Sequence, residues 1–140
     1  RSFFDRVERE IGSRVIIAGN PRADYSDKIG IYGDRQIIFD RTGQLIRDSR
    51  LVLAHRSTAI GFAVMFRKPV LLFAFRAALN HINHRIPMLA YQEALNSKIY
   101  ILDEEINRPI SDSLAVGHSA YDMFINNYAK TKGSEDKVFW

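Results

Sequence analysis

The residues best equipped for chemistry stand in one short run, His55-Arg56-Ser57-Thr58. An imidazole, a guanidinium and two hydroxyls in succession supply hydrogen-bond donors together with positive charge, which is what a phosphate or carboxylate needs. The run lies between two apolar stretches, Leu51-Val52-Leu53-Ala54 and Ala59 to Phe66. It therefore reads as the turn between a buried strand and a buried helix. The first N–H groups of a helix have no partner inside it, and the helix dipole adds partial positive charge there. An anion site is the expectation. The plainer reading of the same residues is that Ser57 caps the helix and Arg56 points to solvent.

A second candidate is Asn20-Pro21-Arg22, followed by Asp24 and Tyr25. Asn20 can hydrogen-bond a ligand oxygen and Arg22 can pair with an anion. Asn-Pro is also a turn former that needs no ligand. His81 and His84 stand three apart, close enough to share a helix face. A metal would need further ligands and none is evident, so they read as surface or capping histidines, as does His118. Asp103-Glu104-Glu105 follows an apolar run; it can accept from ribose hydroxyls, or be a solvated acidic loop. There is no glycine-rich phosphate loop, no nucleophile elbow and no Ser-His-Asp order. No catalytic residue is identified, and neither a metal nor a cofactor is expected.

The elements that must position these residues follow from the apolar pattern. Phe3, Phe4, Val7 and Ile11 are spaced as one helix face, ended by Gly12. Strands are expected at Val15–Ala18, Gln36–Phe39, Leu51–Ala54, Pro69–Phe73 and Lys98–Leu102. Arg22 to Asp34 reads as a polar loop, and Thr42 as the cap of a short helix reaching Ser49. Helix is expected from Ser57 to Arg67, and a polar, helical region from Arg76 to Asn96, broken at Pro87. Ser113 is the expected cap of a last helix running to about Lys130, before a polar tail, Thr131 to Trp140. Continuously apolar strands alternating with helices imply βαβ units and a parallel sheet buried on both faces. The expected fold is α/β: one Rossmann-like domain over residues 1–140, about five parallel strands with helices on both faces. Ligands of such sheets bind outside the carboxyl ends of the strands. The helix after Thr58 has almost no polar face. Its outer side is expected to meet neighbouring helices or a domain outside this chain.

The totals are those of one globular domain: 140 residues, 46% hydrophobic and 26% charged. With no cysteine, disulfides and thiolate metal sites are excluded. No apolar run approaches the ~18 residues that span a bilayer. The net charge of +4 suits an anionic ligand or an acidic membrane surface. The basic residues are scattered without an aromatic stacking face, so nucleic acid is not the expected partner. The chain opens on Arg1 and enters a helix-like stretch at once, as a piece cut from a longer protein would.

Residues Leu45 to Ala59, followed by Lys68-Pro69-Val70-Leu71, resemble the donor-binding half of bacterial GT-B-type glycosyltransferases. The resemblance is to enzymes of capsule and other surface polysaccharide biosynthesis, including sialyltransferase-like and polyglycerol-phosphate-transferase-like members. It covers roughly residues 14 to 75. It implies that Ser57 and Thr58 match a Ser-Ser or Ser-Thr pair that binds the donor phosphate. It further implies that Lys68-Pro69 opens the next strand, and that Asn20-Pro21 falls where many members carry His-Pro. Asn20 departs from that pattern, so the histidine's role has no counterpart here. The implied function is binding of a nucleotide-sugar donor at His55, Arg56, Ser57, Thr58, Asn20 and Arg22, with the acceptor domain lying upstream. The implied location is the cytoplasm, with peripheral attachment at the inner face of the membrane as one arrangement. Alternatives are a sugar-nucleotide epimerase-like half and a non-catalytic domain that binds a partner.

Overall fold

The computed structural model describes residues 1–104 and 108–129. Glu105, Lys130 and the tail Thr131 to Trp140 lie outside the described residues. The first helix, α1 (Ser2–Ile11), buries Val7 and Ile11 and ends at Gly12, whose φ of 70° is the left-handed conformation that a helix C-terminus favours. All five expected strands form, each within two residues of its expected start: β1 (Ile17–Gly19), β2 (Ile37–Phe39), β3 (Val52–Ala54), β4 (Val70–Ala74) and β5 (Tyr100–Ile101). Every pairing is parallel. β1 pairs with β2, and β4 lies between β3 and β5. The strands therefore form a two-stranded and a three-stranded sheet.

Strand β4 organises the core because its side chains alternate between two faces. Val70, Leu72 and Ala74 pack with Ile46, Ile60, Ala63, Val64, Met88, Leu95 and Tyr121. Leu71 faces the other way, into a cluster with Val7, Ile11, Tyr100 and Ile110. The first cluster is built from α3 (Thr42–Asp48), α4 (Ile60–Met65), α6 (Ile82–Ala94) and α7 (His118–Phe124). The second is built from α1 and the 3-10 turn Ile110–Leu114. Helices thus cover both faces, as expected of an α/β domain.

Several local expectations are corrected. The loop Arg22 to Asp34 contains a short helix, α2 (Lys28–Tyr32), whose N-cap Asp27 accepts from the Gly30 N–H at 3.2 Å. Thr42 is the first residue of α3 rather than its cap, and makes no side-chain capping bond. Ser113 sits inside the 3-10 turn, and α7 starts after Gly117. Helix α4 spans only Ile60–Met65. Ile60, Ala63 and Val64 are fully buried, whereas Phe62 and Met65 are 48% and 44% exposed, so the described residues cover only the inner side of the helix. The left-handed Arg67 closes α4, with Lys68 N–H bonded to the Ala63 carbonyl at 2.8 Å.

Pro87 does not break its helix. The region instead divides earlier, into α5 (Arg76–Leu79) and α6, and α6 runs through Pro87. Proline has no N–H to give the carbonyl four residues back, and that carbonyl belongs to Asn83. The Arg56 guanidinium donates to it instead, at 3.1 Å. A gap in the helix ladder is thereby filled by a residue of the candidate site.

Candidate anion-binding site

Strand β3 ends at Ala54 and delivers His55 and Arg56 to the carboxyl edge of the sheet. His55 is half-buried, and its Nδ1 lies 2.9 Å from the Phe73 carbonyl of β4. A carbonyl only accepts, so Nδ1 carries the proton and Nε2 is the atom left for other partners. Arg56 turns the chain with φ of 45°, a left-handed conformation that costs a non-glycine residue about 1 kcal/mol or more. Tertiary bonds hold it there: its N–H meets the Met88 sulfur at 3.3 Å and its guanidinium meets Asn83. Both partners lie on α6.

The Ser57 hydroxyl closes a local turn, accepting from the Ala59 N–H at 3.2 Å. The next two N–H groups go instead to backbone carbonyls three residues back, Ile60 to Ser57 and Gly61 to Thr58. Short hydroxyl side chains compete for backbone donors as Ser57 does, and the helix begins a turn later than its apolar pattern suggests. The helix N–H groups expected to face an anion are therefore already engaged. The Ser57 and Thr58 N–H groups and the Thr58 hydroxyl have no partner among the described residues and take over as the donors of the turn.

The structure adds two residues that sequence reasoning set aside. The His84 ring stacks on His55, with centroids 6.1 Å apart and planes 25° from parallel. His81 meets His84 edge-on at 6.4 Å. His84 Nδ1 is buried and has no hydrogen-bond partner among the described residues. Burial holds His84 below its ordinary value, with the charge of Arg56, then His55, then His81 adding to the effect. Three imidazoles and a guanidinium thus meet with no carboxylate bonded to any of them among the described residues. Near-parallel rings do not aim their nitrogens at one point, and no group of three His, Asp or Glu among the described residues is arranged to hold a metal ion.

The other expected residues stand apart from this cluster. Asn20 is occupied with its own loop: its side chain accepts from the Arg22 N–H at 3.0 Å, and its N–H donates to the Tyr25 hydroxyl at 2.6 Å. The Arg22 side chain is exposed and has no partner among the described residues. No hydrogen bond links this loop to the turn at His55–Thr58. Asp103 accepts from the Arg76 N–H at 2.8 Å, and Glu104 pairs with the Arg76 guanidinium. That acidic loop therefore fastens β5 to the start of α5. His118 begins α7 and joins neither group. The one signal that linked α6 to the turn was Pro87, which marks Asn83 as a carbonyl in need of a donor.

No protein-family model, no curated protein and no solved structure matches this chain. The functional reading therefore rests on the site's own chemistry. Among the described residues, no helix is long and apolar enough to cross a membrane.

Proposed function

We propose that this chain is the donor-binding domain of a GT-B-type glycosyltransferase of surface polysaccharide biosynthesis, holding the phosphates of a nucleotide-activated sugar at the turn His55–Thr58. The observation that carries the reading is the charge balance of the carboxyl edge. His55, Arg56, His81 and His84 gather there without an acidic partner among the described residues, beside the unengaged N–H groups of Ser57 and Thr58. Parallel α/β sheets bind ligands at this edge. A set of fixed donors and cationic groups also suits a departing nucleotide, whose negative charge grows as the sugar bond breaks.

In this reading Ser57 and Thr58 orient the phosphate through their N–H groups and the Thr58 hydroxyl, while Arg56 supplies permanent charge. Arg22 is available to a more distant part of the donor, whereas Asn20 shapes its own loop. The acceptor and the base that activates it belong to a domain outside this chain. The test is the double variant Ser57→Ala, Thr58→Ala. Neither hydroxyl holds the core together, so stability should change by less than about 1 kcal/mol. Nucleoside diphosphate affinity should fall several-fold by calorimetry. Wild-type affinity in a folded double variant would remove the two hydroxyls from the donor site.

A further inference from the structure

The donor reading needs an anion at the turn, and α6 indicates how that anion is held. We propose that His84 and His81 complete the site begun by His55 and Arg56, and that the site takes a fully ionised phosphate-type anion together with a proton from solvent. The proposal rests on the donor reading for its ligand class, but on different residues for its evidence.

With His55 Nδ1 given to the Phe73 carbonyl, the His55 edge open to a ligand is Nε2. The His84 ring stacks on the His55 ring, and His84 Nδ1 is buried without a hydrogen-bond partner among the described residues. A buried nitrogen without a partner is costly, and an anionic oxygen would satisfy it once the nitrogen is protonated. Arg56 is the permanent charge acting on His84, with smaller contributions from His55 and His81. On α6 itself stand Arg85 and, nearer the C-terminus, Glu93. From α5, which packs on α6, comes Arg76, paired with Glu104. From α7 come His118 and Asp122, the latter paired with Arg67 at 2.5 Å. Among the described residues, no carboxylate is paired with Arg56, His55, His81 or His84.

The consequence is a linked equilibrium. Protonating His84 in the free protein brings a charge into a half-buried site that is already cationic, so the ring stays neutral below the ordinary histidine value of 6.5. A bound anion reverses the sign of its surroundings and favours the imidazolium. Binding of the anion and uptake of a proton must then promote one another. Anion affinity rises as the pH falls.

Sulfate is the probe, because its own charge stays constant across the histidine range. Calorimetry at fixed ionic strength should give a sulfate affinity roughly threefold higher near pH 6 than near pH 8, rising toward about tenfold at lower pH, the limit for one imidazole shifted by about one unit. In His84→Gln the affinity should be low and nearly independent of pH. In the wild type, NMR should show the His84 ring titrating about one unit higher with sulfate than with chloride; this readout does not depend on any variant folding. Equal affinity at both pH values, no sulfate binding, or an unmoved His84 titration would overturn the proposal. Nucleoside diphosphates binding at the turn equally well in wild type and His84→Gln would also overturn it, while leaving the donor reading standing. The opposite pattern, proton-linked sulfate binding with no response to nucleotides, would uphold the anion site and remove the nucleotide reading.

Discussion

Two arginines organise two clusters in this domain, and the clusters differ in burial and in charge balance. Arg35 is 2% exposed and fully matched. Its guanidinium bonds Asp5 at 2.6 Å, Glu8 at 2.6 Å and the Tyr32 carbonyl at 3.0 Å, and it lies over the Phe4 ring. The acids come from α1 and the arginine from the segment after α2, so the network ties the start of the chain to the β1–β2 unit. Arg56 is exposed, sits in a strained turn and has histidines near it, with no acid bonded to it among the described residues. A balanced ionic cluster has nothing left to recruit. A cationic one gains most from an anion that the chain does not supply. Ionic groups that hold a fold can thus be separated from those that hold a ligand by asking which charges are already answered.

The comparison is broken most sharply at its balanced end. Arg35→Leu leaves Glu8 half-buried beside a lost partner, and removing one member of a buried ion pair costs about 3 kcal/mol. Denaturant unfolding should report a loss of that size. An effect below about 1 kcal/mol would mean that the network contributes little to the fold.

Acid sharpens the same contrast. The Arg35 hydrogen bond holds Asp5 below its ordinary value of 3.8. Burial pushes Glu8 up, but the Val15 N–H and Arg35 together hold it below 4.5. Depressed carboxylates contribute stability that is present above their unfolded values and lost as the pH falls through the folded ones. The melting temperature should therefore drop below about pH 4.5, and less steeply in Arg35→Leu. Equal slopes in the two proteins would separate acid unfolding from this network. The smallest effect on stability belongs to Ser57→Ala with Thr58→Ala, where binding should change and folding should barely do so.

Much of the scaffold was legible in the sequence, because a short apolar run such as Val70-Leu71-Leu72 has few other ways to be buried on both faces. The ends of the elements were less legible. Helix α4 starts late because Ser57 and Thr58 take the first backbone donors, a local competition that apolar periodicity does not record. Pro87 reads as a breaker until Arg56 is found supplying the missing donor to Asn83. The site was half legible: His55 to Thr58 are contiguous and bear their chemistry openly. His84 lies on another helix and His81 at its N-cap, and only the approach of α6 to the end of β3 brings His84 to His55. Asn20 and Arg22 were drawn in by their position at a strand end, yet Asn20 spends its side chain on its own turn.

The most direct test of the central claim is a two-dimensional amide NMR titration of this chain with CMP, CDP, UDP and GDP. Saturable shifts centred on residues 55 to 60 and extending to His84, strongest with one of the nucleotides, are the predicted result. Shifts absent from the turn with every nucleotide, in a chain that remains folded, would contradict it.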